Sequence, residues 1–266
     1  MRVLRIDNLE DDRLAVYRDV RNKALPRQSG LFVAEGWRVV DRLLDSGIPV
    51  ESVLISERRI DALGPLFAER ATVFALAQAE AEKLVGYNFH CGVMACARRP
   101  ENRSLESLTG NPGLILCCPQ MTSPDNLGSL ARLAAGFGAA GLLLGESSSD
   151  PWLRRVVRVS MGTIFELPIR VSPDLLRDLL VLREQNYCLL GAELTETSRP
   201  LECFGDDGWR LDMVLLLGNE AEGMPPEFLD MLDATYHIEM TNQVDSINVT
   251  HAAAVFLYEM TRKDKK

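Results

Sequence analysis

The stretch LLLGNEAEGMPPEF, Leu215 to Phe228, leaves an apolar strand, crosses a glycine-bounded acidic turn and reaches a proline that opens a helix. Glycines at a strand end allow a ligand to approach the backbone closely, and a solvated acidic turn has the same composition. Two further segments share this character: PDNLGSLAR, Pro124 to Arg132, and DSINVTHAAA, Asp245 to Ala254. Each puts polar residues at the edge of an apolar strand or at the mouth of a helix, where ligands and chemistry gather in α/β proteins.

Working outward, LILCC, GLLL, YCLLGAEL, LDMVLLLG and ATYHIEM read as buried strands. Helices are expected from Asn126 to Phe137, Pro173 to Gln185, Pro225 to Leu232 and Asn248 to Arg262, with a short helical stretch between Ser147 and Met161. This alternation predicts an α/β fold with a mostly parallel sheet covered on both faces. The first hundred residues form an earlier α/β series, with strands in LFVAEG, VESVLIS and GVMACA and helices in WRVVDRLLDSG and Ala77 to Val85. Between the two series, PENRSLESLTGNPG is rich in Pro, Asn, Ser and Gly and reads as a linker. The expected division is a domain over 1–99, a linker over 100–113 and a domain over 114–266.

A chain of 266 residues with 47% hydrophobic content can bury a substantial core. No apolar run approaches the ~20 residues that span a bilayer, and MRVLRIDNLEDDR lacks the apolar centre of a signal peptide. The six cysteines show no CxxC, and Cys117 and Cys118 fall in an apolar strand, so they read as reduced core residues. A cytoplasmic protein without a membrane partner is expected. The net charge of −9 weighs against nucleic acid, but residues 1–110 are neutral and the remainder carries the whole excess. Within the neutral part, Arg18, Arg21, Lys23 and Arg27 cluster in one stretch. Such a patch can bind phosphates on an acidic chain, or simply be the solvated face of a loop.

Gly136-Phe-Gly138-Ala-Ala-Gly141 matches GxGxxG, but its glycines end a helix and enter a strand, the reverse of a dinucleotide site. It reads as a helix stop. Asp125 can cap the helix after it, leaving backbone N–H groups near Asn126 and Leu127 for an anion. Arg132 leans back toward that mouth past the small Gly128 and Ser129, a geometry that allows a phosphate to be held. An ordinary surface arginine would look the same. Ser246 and Asn248 lie beside the start of the last helix, where Ser246 could be a plain cap. His90, His237 and His251 form no spaced ligand cluster, so no metal is expected, and His90 beside Cys91 and Cys96 reads as a buried imidazole.

Taken together, the three segments resemble the motifs of the SpoU (TrmH) family of RNA ribose 2'-O-methyltransferases. The first is matched by Asn126 and, six residues on, Arg132; the second by Gly218, Glu220 and Gly223 after a strand; the third by Ser246, Ile247, Asn248, Val249 and Thr250. The stretch from Asp150 to Gly162, with Arg158 and Ser160, resembles the segment between motifs. The likeness covers about residues 111–262. More weakly, the basic stretch to Arg27, Phe32 to Gly36 and His90 to Val93 resemble the family's accessory RNA-binding domain.

The resemblance implies a C-terminal trefoil knot holding S-adenosylmethionine, with Leu217, Gly218, Ile238, Met240 and Ile247 lining the adenine and methionine ends. It implies methyl transfer to a ribose 2'-hydroxyl without metal, a homodimer, and RNA contacts at Arg21, Lys23 and Arg27, with rRNA favoured over tRNA. The catalytic set it implies is Arg132, Asn126, Glu220, Ser246 and Asn248. A guanidinium is a poor base, so Arg132 is expected to bind phosphate and stabilise the developing alkoxide while the other four position it and the ribose. Where many members have Ile-Pro-Met, this chain has Ile238-Glu239-Met240, and Thr241-Asn242 follows where glycine is common. Those departures bear on affinity and substrate choice. The competing expectation is a catalytically silent RNA-binding protein on the same fold; a nicotinamide enzyme rests only on the reversed glycine motif.

Overall fold

Five successive apolar residues, Leu114 to Cys118, cannot alternate between core and water, so their strand needs cover on both faces; all five are buried. The computed structural model describes residues 3–18, 20, 28–110, 113–208, 212–219, 223–241 and 246–262. Among these the elements run β1 (Val3–Arg5), α1 (Ala15–Arg18), β2 (Leu31–Glu35), α2 (Trp37–Asp45), β3 (Val50–Ser56), α3 (Ile60–Ala68), β4 (Val73–Leu76), α4 (Gln78–Val85) and β5 (Val93–Arg98). They continue through α5 (Glu106–Thr109), β6 (Leu114–Cys118), α6 (Pro124–Gly136), β7 (Gly141–Leu144), α7 (Arg154–Val159), β8 (Ile169–Val171) and α8 (Leu175–Glu184). The last are β9 (Cys188–Ala192), β10 (Arg199–Pro200), β11 (Met213–Leu217), α9 (Pro226–Leu229), β12 (Ala234–His237) and α10 (Val249–Thr261).

Contacts divide the chain into one unit of Met1–Glu101 with Asp150–Phe165 and another of Asn102–Ser149 with Glu166–Lys266. The segment Asp150–Phe165 therefore groups with the first hundred residues, although its place in sequence lies inside the second series. Its own contacts give the reason. Phe32 packs between Trp152, at 5.0 Å between ring centroids, and Phe165, at 6.0 Å. Glu35 is buried and paired with Arg154 and with Arg158, the latter at 3.1 Å. The first unit's sheet has the order β1-β4-β3-β5-β2, with β5 antiparallel to both of its neighbours. Tyr17, fully buried, donates its hydroxyl to Ser52 O at 3.0 Å. His90, expected as a buried imidazole, is exposed.

The second unit's sheet runs β10-β12-β9-β11-β6-β7-β8 with every pairing parallel. From β6 the chain moves outward through β7 and β8, then returns to build β9 and β11 on the other side. This reversal opens a crevice at the carboxyl ends of the central strands. The expected linker is partly structured: it contains α5, and Leu105 and Leu108 are buried in the second unit's core.

Helix α6 buries Leu127, Leu130, Ala131 and Ala134, one stripe at helical spacing. It ends at the expected glycines, and Gly138 has a φ of +71° that favours glycine over other residues. Gly141 is required for space: a Cβ there would lie 2.8 Å from Leu108 Cγ and 2.9 Å from Pro168 O. Helix α10 buries Val249, Ala253, Phe256, Leu257 and Met260 and packs against α6. No helix among the described residues is long and apolar enough to cross a membrane.

Candidate active site

At the carboxyl ends of β9, β11 and β12 the second unit contains a cavity of about 1030 Å³. Leu217, Gly218, Ile238, Met240 and Ile247, the five residues expected around a cofactor, all line it. Ser246 and Asn248 stand at its rim beside Val249, Ala252 and Phe256 of α10. Its walls thus combine aliphatic side chains with polar ones, a surface suited to a flat base and a flexible polar tail.

The mouths of α6 and α10 meet through their side chains. Asn248, not Ser246, caps α10: its Oδ1 accepts from Thr250 N at 2.9 Å and from Thr250 Oγ1 at 2.6 Å. Its other end, Nδ2, donates to Asn126 Oδ1 at 3.2 Å. With both ends used, the amide has one orientation. Ser246 remains exposed at the cavity edge, free of the capping role.

The cap of α6 also differs from expectation. Ser123, not Asp125, is the N-cap, because Pro124 fits the first helical position, where a missing N–H costs nothing. The N–H of Asn126 goes to Ser123 Oγ at 3.4 Å and that of Leu127 to Ser123 O at 3.0 Å. These two groups are therefore spent inside the protein rather than offered to an anion. Arg132 is exposed and makes no hydrogen bond or ion pair with the described residues, so its donors remain available.

The turn after β11 is pinched at its base, where Asn219 and Gly223 exchange both backbone hydrogen bonds at 2.8 and 2.9 Å. Asn219 Nδ2 also donates to Gln120 O at 2.9 Å, tying this turn to the end of β6. Glu193, which follows β9, was not among the expected site residues. Burial pushes its carboxyl above the usual range, outweighing the nearby backbone N–H groups of Met224 and Leu194, which draw it down. Gly218 makes room for it. A Cβ on Gly218 would lie 2.9 Å from Glu193 Oε2 and 2.9 Å from the Gly223 carbonyl carbon. A polar residue just beyond the end of a parallel strand is the sequence signal that could have found Glu193.

Glu220 and the basic Arg21, Lys23 and Arg27 lie outside the described residues, as does Asn242. Among the described residues no group of His, Cys, Asp and Glu is placed to hold a metal ion.

An all-parallel sheet with a ligand-sized cavity and two helix mouths at its carboxyl edge defines an α/β protein built to bind a small molecule there. Residues 113–258 match the profile of the SpoU rRNA Methylase family, and the chain belongs to this family. It is 30% identical over 258 residues to an uncharacterised tRNA/rRNA methyltransferase of Mycobacterium tuberculosis, covering 95% of this chain and 90% of the relative. To the 23S rRNA (guanosine-2'-O-)-methyltransferase RlmB of Acinetobacter baylyi it is 29% identical over 188 residues, 68% of this chain and 75% of the relative. The crystal structure of the SpoU methyltransferase AviRb from Streptomyces viridochromogenes, in complex with AdoMet, aligns with a TM-score of 0.81. The two are 25% identical, and the alignment covers 94% of this chain and 98% of AviRb.

Proposed function

We propose that this protein uses S-adenosylmethionine to methylate a ribose 2'-hydroxyl of RNA. One observation carries the reading. The five residues expected at the cofactor line a single cavity with Ser246 and Asn248, and Asn248 is bonded to Asn126 on the helix that carries Arg132. The cavity fits the cofactor: its volume takes a nucleoside joined to an amino acid, and Gly218 leaves backbone where a Cβ would intrude. Family membership and the AdoMet complex of AviRb support the same choice.

When bound, S-adenosylmethionine supplies a sulfonium methyl group open to in-line displacement by oxygen. Leu217, Ile238, Met240 and Ile247 would hold it by apolar contact, and Gly218 by its backbone. The guanidinium of Arg132, which no described residue engages, would bind the RNA phosphate and stabilise negative charge on the attacking oxygen. Asn126, Ser246 and Asn248 would orient that encounter, with Glu220 as a further positioning residue. Holding both reactants in line supplies much of the rate.

The same reading includes a C-terminal trefoil knot, a homodimer, a cytoplasmic location, and residues 1–99 as an accessory RNA-binding domain using Arg21, Lys23 and Arg27. It favours ribosomal RNA, as the names of RlmB and of the Streptomyces viridochromogenes 23S rRNA (uridine(2479)-2'-O)-methyltransferase, a second relative, support. The test is digestion of bulk rRNA and bulk tRNA after incubation with the protein and S-adenosylmethionine, with mass analysis of the nucleosides. New 2'-O-methylnucleosides in rRNA are expected. Base methylation in either RNA would refute the ribose assignment.

A further inference from the structure

The cavity has a sign. Its described ionisable lining is Glu193, Tyr236, His237 and Glu239, and no described lysine or arginine lines it. The Glu193 carboxylate is partly buried and sits against Gly218 and Gly223. Glu239 differs. It is exposed, it lines the cavity between Ile238 and Met240, and its carboxylate makes no hydrogen bond or ion pair with the described residues.

Resting on the cofactor reading above, we propose that Glu239 is a specificity-determining residue that lets the cavity discriminate by charge. It favours S-adenosylmethionine, which carries a sulfonium, over S-adenosylhomocysteine, whose sulfur is a neutral thioether. The two molecules differ by one methyl group and one positive charge. Aliphatic walls such as Leu217 and Ile247 contact both molecules alike. A carboxylate does not: its field reaches about 10 Å at 0.1 M salt, acts alike on the amino-acid charges that both molecules share, and in addition attracts the sulfonium that S-adenosylmethionine alone carries. Spent cofactor would accordingly be held less tightly than fresh cofactor, and product release would be eased.

Calorimetric titration of the full chain with each molecule separately, for wild type and Glu239→Gln, tests this. The substitution should weaken S-adenosylmethionine about three- to fivefold, the scale of one partly exposed charge, and leave S-adenosylhomocysteine within about twofold. Raising the salt should narrow the wild-type preference, and Glu239→Asp should retain most of it. Equal weakening of both molecules would mean that Glu239 acts by packing and would overturn the proposal, as would no change in either. If the wild type binds both but the ratio does not respond to the substitution, the charge proposal falls and the cofactor reading stands. If the wild type binds neither, both fall together.

Discussion

Asn248 and Asn126 are 122 positions apart in sequence, yet Asn248 Nδ2 donates to Asn126 Oδ1 at 3.2 Å. That bond joins the mouth of the last helix to the mouth of the helix bearing Arg132. Asn248 does two jobs, since its Oδ1 also caps α10 through Thr250.

Replacing Asn248 by alanine should therefore cost more stability than replacing Asn126. The cap alone is worth about 1 kcal/mol, and the cross-helix bond adds about 0.5 kcal/mol at an exposed position. Urea denaturation of both single variants and the double variant separates the terms. A double variant whose loss equals the sum of the singles would show that the two asparagines do not interact.

Gly218→Ala should abolish most cofactor binding. The new Cβ would meet Glu193 Oε2 at 2.9 Å and Met224 N at 3.0 Å, forcing the turn after β11 to shift. Adding Glu193→Ala should restore binding only in part, because the backbone clash at Gly223 and Met224 persists. Calorimetric titration with S-adenosylmethionine measures both, and an unaltered affinity in Gly218→Ala would contradict this account of the turn.

Burial raises the Glu193 carboxyl above its ordinary value of 4.5. The fold thus disfavours its charged form. Its contribution to stability is fullest below the ordinary value and is lost as pH rises through the raised folded value. Melting temperatures of wild type and Glu193→Gln across mildly acidic to neutral pH should show the wild type losing ground as pH rises. A wild type that instead gains on Glu193→Gln as pH rises would reverse the assignment.

In the first unit, Glu35 accepts from Arg158 Nη1 at 3.1 Å and from Cys91 Sγ at 3.3 Å and pairs with Arg154, which also donates to Tyr87 OH at 2.8 Å. Burial, with Glu35 adding in the same sense, pushes the Cys91 thiol up to about 11. Glu35→Gln should cost about 2 kcal/mol, less than a fully buried pair because both arginines keep some access to water. It should also speed the reaction of Cys91 with an aromatic disulfide at neutral pH. An unchanged thiol rate would mean that the carboxylate does not influence Cys91.

Much of the second unit was legible in the sequence because it is written in apolar runs. LILCC, GLLL and LDMVLLLG are too short for helices and too apolar for exposed strands, and each became a parallel strand. The cavity residues were legible through the family resemblance that three short segments carry; Ile238 and Met240, which lie outside those segments, came from the resemblance alone. The cap of α6 was misread because Asp125 and Ser123 are both good caps; Pro124 decides between them by needing a position without an N–H. Glu193 was missed because its one local signal, a polar residue just past the end of a strand, is common to many loop residues, and its packing under Gly218 and Gly223 is what gives it a place. The grouping of Asp150–Phe165 with the first hundred residues was hidden for the same reason. It depends on Phe32 and Glu35, more than a hundred positions away.

The most direct test of the central claim follows tritiated methyl groups from S-adenosylmethionine into ribosomal RNA, using wild type and Arg132→Ala, with calorimetric cofactor binding on the same preparations. The account predicts alkali-resistant ribose label with the wild type. With Arg132→Ala it predicts a loss of about a hundredfold or more and nearly unchanged cofactor binding. Cofactor binding by the wild type without any transfer to RNA, or transfer that survives in Arg132→Ala, would contradict it.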